Sequence, residues 1–591
     1  MIPLAIENQF AAKETRPYDK EDTMKTVKTR VLSSAIAILL MATSVGCNRN
    51  NSQVNKSGGS SDSSAQSPVT LTVEGLFGAD GGLKQDGVQS DPVSKYITQK
   101  TGVTLSLTNL QDGNDKLSVQ IASNDLPDIF PTPANDTIKK MIDANEIVPL
   151  DDLAAKYGKT LNADKAAKGM MKYNKEMGPD GKLYSIGMSR GTWDDGVNPV
   201  RGLYIRWDLY KKLGYPAVKN LDDLANVLVQ MQKLEPKTKD GKKTYALGSS
   251  VNGLWYTCCV GDLRTRGYED NAYQYVDIET QKPASDNIFT DKDSLIWKEF
   301  KFANKLNQAG GFDPDSFTQT TQYADKAKAG AYMLLPEGWN ATAANKKFEQ
   351  DGTPEKGYVA LPASMFGYRN YRLYGNNLAG ERQYSISKTC KNPERAMQLL
   401  DFVSSYEFSR IANNGLEGSN WNIKDGKPVP TTAYLNMSSD DVAKTGAGIY
   451  YHFCGYESGT IDPATKTPVD CTLNSASLTS YQSDFVQHFG EKTMTDVYKK
   501  NVKTYTSDIA VGNWSAVLPD DLQTYSANLG TYLSQNETKV VLAKNDEEFA
   551  KAQDTFIKGL SSYKWDQIFK FYTDAVNDSQ KKMQPVYEAM K

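Results

Sequence analysis

The first folded segment of the chain shows a regular alternation of apolar and polar positions. "VTLTVEGLF", which begins at Val69, has the alternation of a half-buried strand. "DPVSKYITQKTG" follows with helical spacing, a capping Asp91, Pro92 at the first helical position and Gly102 at the end. "VTLSLTNL" then returns to the strand pattern. A strand, a helix and a strand in this order predict the start of an α/β sheet.

Strand and helix patterns continue to alternate along the rest of the chain. We predict a buried strand at 128–130, two helices broken at Gly214 and Pro216, a helical stretch over 391–413 and a final amphipathic helix over 546–578. No repeat or low-complexity segment follows residue 68. The remaining length, about 520 residues, is enough for two or more hydrophobic cores.

Residues 1–46 have the layout of a secretory signal, with basic residues, a short apolar run and small residues before Cys47. The apolar run is too short to span a bilayer as a helix. "TSVGC" resembles a lipobox, in which the cysteine is diacylated and becomes the first mature residue, although Ser44 stands where that motif usually has Leu. Five acidic residues within 1–23 are unlike a signal sequence and predict a natural start at Met24. A core helix with a chance cysteine is the alternative.

The segment 47–68 is predicted to be a flexible tether, because it offers almost no apolar side chains to bury. The whole chain has 68 Lys and Arg against 71 Asp and Glu, a net charge of −3. This balance argues against a nucleic-acid partner, which would need a basic excess. No later stretch approaches 18 apolar residues, so the lipid on Cys47 would be the sole membrane anchor.

The cysteine pattern predicts one disulfide. Five cysteines follow position 47: Cys258, Cys259, Cys390, Cys454 and Cys471. Disulfides persist outside the cell membrane, and we predict that Cys454 pairs with Cys471 across a loop rich in Gly, Thr, Asp and Pro. The adjacent Cys258 and Cys259 form a vicinal disulfide or pair elsewhere. An odd number of cysteines leaves at least one thiol free.

Eight short segments occur in the order found in one protein family. The chain resembles the extracellular solute-binding proteins of bacterial ABC importers, and among them the long carbohydrate-type lipoproteins of Gram-positive bacteria. The segments are "KYITQKTGVTL", "LPDIF" with "ANEIVPLDDL", "GKLYSIG", "YIRWDLYKKLGYP" with "NLDDLANVL", "LNQAGGFDPDSF", "GAYMLLPEGWN", "ISKTCKNPERAMQLLDFV" and "GLEGSNWNI".

The resemblance implies an α/β, two-lobed, periplasmic-binding-protein-like fold of the type II-like class, with two or three hinge crossings and a central ligand cleft. Lobe one is predicted at 69–185 and 366–425, and lobe two at 186–365 and 426–591. Such a fold suits capture, because a ligand that bridges both lobes shifts the balance of open and closed states.

Enzymatic and metal sites are poorly supported by the residues. His452 and His488 are the only histidines, and neither HExxH nor GxSxG occurs. Some alginate-type relatives carry a calcium loop where this chain has 235–248, but lysines fill the segment and it holds two carboxylates. We predict no catalytic residue, no metal and no cofactor. A two-carboxylate glycosidase is still compatible with the composition.

Sugar binding requires aromatic platforms for ring faces and planar polar groups for hydroxyls. Trp207, Trp297 and Trp565 lie in helical patterns and are predicted to be packing residues. Four others lie in Gly-, Asn- and Ser-rich stretches and are predicted to contact ligand: Trp193, Trp255, Trp339 and Trp421. Trp339 also resembles the cleft tryptophan that related sugar-binding proteins place after a strand ending in Gly; packing is the alternative.

Polar ligand contacts are predicted at the carboxyl ends of strands, where ligands of open α/β sheets collect. Phe77 and Asp80 follow the first strand, and Asn135 and Asp136 follow another. Arg201 could form bidentate bonds to paired hydroxyls or to an acidic sugar. Each of these residues has the alternative of a turn former or a surface ion pair.

Together these features predict a monomeric, non-enzymatic receptor held by lipid on the outer face of the cell membrane. It would capture an oligosaccharide and deliver it to the permease subunits of an ABC importer. A receptor for peptides or other polar oligomers is one alternative, because this fold accepts many ligands. A secreted polysaccharide-degrading enzyme is the other.

Overall fold

The computed structural model describes the greater part of the chain beyond the tether. The described residues are 67–78, 85–110, 115–133, 136–191, 199, 201–251, 262, 265–271, 273–277, 279–280, 282–283, 287–368, 370–373, 380, 382–474, 478–506 and 517–590. The predicted signal, Cys47 and nearly all of the predicted tether lie outside them.

Seventeen strands lie within these residues. They are β1 (Val69–Gly75), β2 (Gly87–Val88), β3 (Val103–Asn109), β4 (Ile129–Pro131), β5 (Ile186–Met188), β6 (Arg201–Arg206), β7 (Tyr268–Asn271), β8 (Gln274–Asp277), β9 (Leu334–Glu337), β10 (Tyr358–Ala360), β11 (Asn370–Leu373), β12 (Arg382–Ile386), β13 (Trp421–Lys424), β14 (Lys427–Pro430), β15 (Ile461–Asp462), β16 (Thr467–Pro468) and β17 (Lys503–Thr506).

Twenty α-helices accompany the strands in the described ranges. They are α1 (Pro92–Thr101), α2 (Asp115–Ser123), α3 (Asp136–Asp143), α4 (Asp151–Tyr157), α5 (Lys159–Ala163), α6 (Lys165–Met177), α7 (Trp207–Lys212), α8 (Leu221–Leu234), α9 (Leu295–Gln308), α10 (Gln322–Lys328), α11 (Gly338–Gln350), α12 (Pro393–Val403), α13 (Tyr406–Asn414), α14 (Thr432–Leu435), α15 (Ser439–Lys444), α16 (Ser480–His488), α17 (Met494–Lys499), α18 (Asp520–Val541), α19 (Asp546–Gly559) and α20 (Trp565–Met590).

The opening strand–helix–strand unit forms as its sequence predicts. The Asp91 carboxylate accepts hydrogen bonds from the backbone N–H groups of Val93 (2.9 Å) and Ser94 (3.0 Å), so it caps α1. Gly102 ends the helix in the left-handed conformation, with φ of 66°. β1 and β3 then pair in parallel along their whole lengths.

Two large hydrophobic cores form around two sheets in the described part of the chain, and a small third cluster lies within residues 117–184. Core one surrounds a six-stranded sheet of order β2-β3-β1-β4-β12-β5 and holds buried residues of 71–188 and 384–454. Core two surrounds the antiparallel sheet β10-β6-β9 and holds buried residues of 203–366 and 481–568. β12 inserts antiparallel between β4 and β5. The chain therefore leaves core one after β5, returns with β12, and leaves again after 454.

The C-terminal helix touches elements of both cores. Trp565 and Ile568 of α20 are buried in core two, and α20 also packs against α6, whose Ala167 and Met170 belong to core one. The amphipathic pattern over 546–578 is divided between α19 and α20, because a 3-10 turn and the positive φ of Lys564 (49°) interrupt it.

One part of the predicted lobe division is wrong. The prediction assigned all of 426–591 to lobe two, but Ile449, Tyr450, Phe453 and Cys454 are buried in core one. The physical reason is aromatic packing: Phe77 meets the rings of Tyr450 and Phe453 edge-on, with centroid distances of 6.5 and 5.9 Å.

The predicted Cys454–Cys471 disulfide is also wrong for this structure, in which both cysteines are free and buried. The single S–H of Cys454 has two acceptors in reach, the carbonyl oxygens of Tyr451 (3.1 Å) and Tyr456 (3.3 Å). The Cys471 thiol donates to Oδ1 of Asn414 at 3.2 Å. Since each thiol has its own acceptors, packing rather than a covalent link holds this segment. Burial raises the pKa of both thiols to about 12.

Within the part of the chain that the structure covers, none of the helices has the length and apolar character needed to cross a membrane.

Candidate functional site

A tryptophan and an arginine that the sequence singled out meet where two strands of core two lie side by side. β6 begins at Arg201, β9 ends at Glu337, and the antiparallel pairing places these two residues opposite each other. Trp339 follows as the second residue of α11. The Arg201 guanidinium lies over the Trp339 ring, with Cζ 4.8 Å from the ring centroid, which is a cation–π contact.

Trp339 is exposed because α11 buries a different side. Ala341, Ala344 and Phe348 recur at helical spacing and face core two. Trp339 lies off this stripe, and 47% of its surface is accessible. The other described tryptophans are each at most 5% exposed: Trp207, Trp297, Trp421 and Trp565. The packing roles predicted for Trp207, Trp297 and Trp565 are thereby confirmed.

A buried carboxyl group lies beside this pair. Glu337 is only 2% exposed, and its Oε2 accepts hydrogen bonds from the Tyr323 hydroxyl (2.9 Å) and the Asn340 amide (3.2 Å). Burial raises the pKa of Glu337 to about 7, while the charge of Arg201 and the two hydrogen bonds oppose that rise. Near neutral pH the group therefore exchanges between its ionised and neutral forms.

This arrangement combines the groups that recognise an uncharged polar ring. The exposed indole offers an apolar face for sugar C–H groups, and the guanidinium offers planar donors for hydroxyls. We define the Trp339 cluster as Arg201, Trp339 and Glu337, together with the two donors Tyr323 and Asn340. Three of these residues, Glu337, Tyr323 and Asn340, were missed by sequence reasoning. Of these three, only Glu337 stands out in the sequence, as a carboxylate directly after the apolar run "MLLP".

Two predicted ligand contacts are corrected by the structure. Phe77 is fully buried among the aromatic rings of core one. Trp421 is 5% exposed, and its indole N–H donates to the carbonyl oxygen of Gly415 at 2.9 Å. Neither ring presents a face on which a ligand could stack, so both are packing residues in this structure.

The remaining predicted contacts stay predictions. Trp193, Trp255, Asp80 and Asn135 lie outside the described residues, as do Cys258 and Cys259. Asp136 begins α3, but its side chain is outside the described part.

The carboxylates in the segment 235–248 are engaged by neighbouring side chains. Glu235 accepts hydrogen bonds from Arg206 and Lys356, both at 2.9 Å. Asp240 accepts one from Thr238 and pairs with Lys242. Across the ranges given above, no group of three or more His, Cys, Asp or Glu side chains is arranged to hold a metal ion.

Two curated relatives match parts of the chain. The fructooligosaccharide ABC transporter substrate-binding protein FusA of Streptococcus pneumoniae is 32% identical over 278 residues, which cover 44% of this chain and 49% of FusA. The lipoprotein LipO of Bacillus subtilis is 24% identical over 350 residues, which cover 57% of this chain and 65% of LipO. The matches thus span 49% of the length of FusA and 65% of the length of LipO, less than two thirds of either relative.

The fold has solved counterparts. A structure of an S. pneumoniae FusA EF-hand mutant in complex with fructo-nystose superposes with a TM-score of 0.57 at 17% identity, covering 87% of this chain and 99% of that one. This similarity identifies cores one and two as the two lobes of a solute-binding protein fold. The family model described as bacterial extracellular solute-binding protein matches residues 87–408, more than half of the chain. The chain therefore belongs to the bacterial extracellular solute-binding protein family.

Proposed function

We propose that this protein is a receptor outside the cell that binds an oligosaccharide and delivers it to the permeases of an ABC importer. The observation that carries the proposal is the half-exposed Trp339 with the Arg201 guanidinium over its ring. An aromatic surface next to planar donors suits a sugar ring, whose faces are apolar and whose edge carries hydroxyls. The partial match to a fructooligosaccharide-binding relative supports the same ligand class.

The receptor is proposed to be monomeric, without enzymatic activity, and attached to the membrane through a lipid on Cys47. The match to a curated lipoprotein supports the attachment. A single acyl chain binds membranes only weakly, so the diacyl anchor predicted from "TSVGC" is the form that would hold the protein in place. Labelling cells with radioactive palmitate tests the anchor: we expect label on the wild type and none on Cys47→Ala. An unlabelled wild type would contradict it.

The ligand class is tested by calorimetry against kestose and other oligosaccharides, with short peptides as the comparison. We expect binding of an oligosaccharide without turnover. Preferential binding of peptides would favour a peptide receptor instead. Hydrolysis or elimination that an Asp or Glu substitution abolishes would establish an enzyme.

Trp339→Ala tests the site itself. We expect roughly a 10- to 30-fold weaker oligosaccharide affinity, because a buried stacking contact of this kind is worth about 1.4–2 kcal/mol. Tyr525→Ala is the matched control, since Tyr525 is also a partly exposed aromatic residue but lies on α18. Equal affinities of the wild type and Trp339→Ala would remove Trp339 from the site.

A further inference from the structure

We propose that Glu337 is a positioning residue that acts through Arg201 to fix the ring of Trp339 for the ligand. This inference rests on the proposed function and adds a residue to its site. Glu337 is buried, so it cannot touch a ligand itself. Its influence must pass through its neighbours.

The first step is the link from Glu337 to Arg201. The antiparallel ladder places the two residues opposite each other on β9 and β6. Their opposite charges attract, and this attraction favours the ionised form of Glu337. Because Glu337 is buried, this attraction is screened less than one between two surface charges.

The second step is the support of the carboxyl group by the scaffold. Tyr323 on α10 and Asn340 on α11 both donate to the same oxygen, Oε2. Donors from two different helices hold the carboxyl group in one orientation, so it cannot swing toward solvent. Besides burial, the Arg201 charge, these two donors and the backbone N–H of Glu337 itself act on the carboxyl group.

The third step is the contact between Arg201 and Trp339. The guanidinium covers the indole at 4.8 Å and leaves the rest of the half-exposed side chain open. When Glu337 is ionised, it draws Arg201 toward the β6–β9 ladder and keeps it over the ring. When Glu337 is neutral, this attraction is lost and the indole is less firmly oriented. The orientation of the Trp339 indole therefore depends on the protonation state of Glu337.

Fluorescence of Trp339 tests this coupling without any ligand. The signal is the emission of the wild type minus that of Trp339→Phe, titrated from pH 5 to 9. We expect one transition, with a midpoint above the ordinary pKa range of a glutamate. Glu337→Gln should abolish this transition. Tyr323→Phe moves the midpoint to higher pH, because it removes a hydrogen bond that favours the ionised form. Glu349→Gln, an exposed position at the far end of α11, leaves the transition unchanged.

A purely structural role for Glu337 would give a different result. The inference is overturned if the transition persists in Glu337→Gln, or if Tyr323→Phe leaves its midpoint where it was. Each variant is close to isosteric, and circular dichroism at each pH verifies that it is folded.

Binding of kestose gives the second readout. We expect the wild type to bind roughly two- to fivefold more weakly at pH 5.5 than at pH 8.5, the equivalent of one exposed cation–π contact. Glu337→Gln should show no such dependence. Loss of binding in Trp339→Ala together with an unchanged pH profile in Glu337→Gln overturns the inference and leaves the proposed function intact. A Glu337-dependent fluorescence transition in a protein that binds no oligosaccharide overturns the proposed function and leaves the coupling in place.

Discussion

At the scale of single residues, Glu337 shows how burial competes with local partners. Removing a carboxylate from water disfavours its charged form, while the Arg201 charge and hydrogen bonds from Tyr323 and Asn340 favour it. Burial is the largest of these effects, which leaves the pKa at about 7. Arg206 shows the opposite balance. It is fully buried, but bonds to Asp208 and Glu235 at 2.8 and 2.9 Å keep it charged.

The raised pKa of Glu337 makes stability depend on pH. The native state holds a proton between about pH 4.5 and 7 that the unfolded state has already lost. The free energy of unfolding should therefore fall as pH rises through this window, by about 2–3 kcal/mol from this group. Urea unfolding of the wild type and Glu337→Gln at pH 5 to 8 measures the difference in slope. Parallel curves for the two proteins would contradict the assignment.

At the scale of elements, Asp91 joins the first helix to a distant segment. Its Oδ1 caps α1, and its Oδ2 accepts a hydrogen bond from the hydroxyl of Tyr450 at 2.6 Å. Burial and the charge of Asp91 both raise the pKa of Tyr450. One side chain thus stabilises a helix end and holds the segment around 450 against core one.

We expect Asp91→Ala to lower the free energy of unfolding by about 2–3 kcal/mol, because it removes both a helix cap and the acceptor of the hydroxyl of the buried Tyr450. Asn545→Ala is the matched control: Asn545 caps α19 by accepting from the Glu548 N–H at 2.9 Å, and its loss should cost about 1 kcal/mol. Tyr450→Phe isolates the hydroxyl. If urea titrations gave equal losses of unfolding free energy for Asp91→Ala and Asn545→Ala, the contact to Tyr450 would contribute nothing to stability.

At the scale of the whole molecule, three passages of the chain join the two cores. The Trp339 cluster lies at one end of the β6–β9 pair in core two. The chain passes between the cores three times, between 188 and 203, 366 and 384, and 454 and 481. A ligand that contacts both lobes favours a closed arrangement over an open one. The packing of α20 on α6 gives the lobes a further contact.

Binding of an oligosaccharide should stabilise the whole molecule. At a ligand concentration 100 times the Kd, the free energy of unfolding should rise by about 2.7 kcal/mol. Closure should also reduce the radius of gyration measured by small-angle X-ray scattering. Trp339→Ala at the same ligand concentration serves as the control and should show smaller changes in both. Stabilisation without any change in scattering would mean that the lobes do not close on the ligand.

Much of the fold could be predicted from local patterns because short-range physics determines them. The cap at Asp91, the end at Gly102 and the breaks at Gly214 and Pro216 all form as predicted. The site was less predictable. Trp339 and Trp421 both follow glycine-rich stretches, yet one is exposed and the other is buried with its N–H bonded to Gly415. Composition could not separate them, because exposure depends on which distant residues pack against each ring.

The sequence by itself determined the α/β class, the positions of most elements and the resemblance to solute-binding proteins, because periodicity and capping act over a few residues. Only the tertiary structure decided which side chains meet. It placed Glu337 beside Arg201 through a strand pairing between positions 136 residues apart. In the tertiary structure the segment around Tyr450 also belongs to core one, and Cys454 and Cys471 are free thiols. These outcomes depend on long-range packing, which local sequence patterns do not encode.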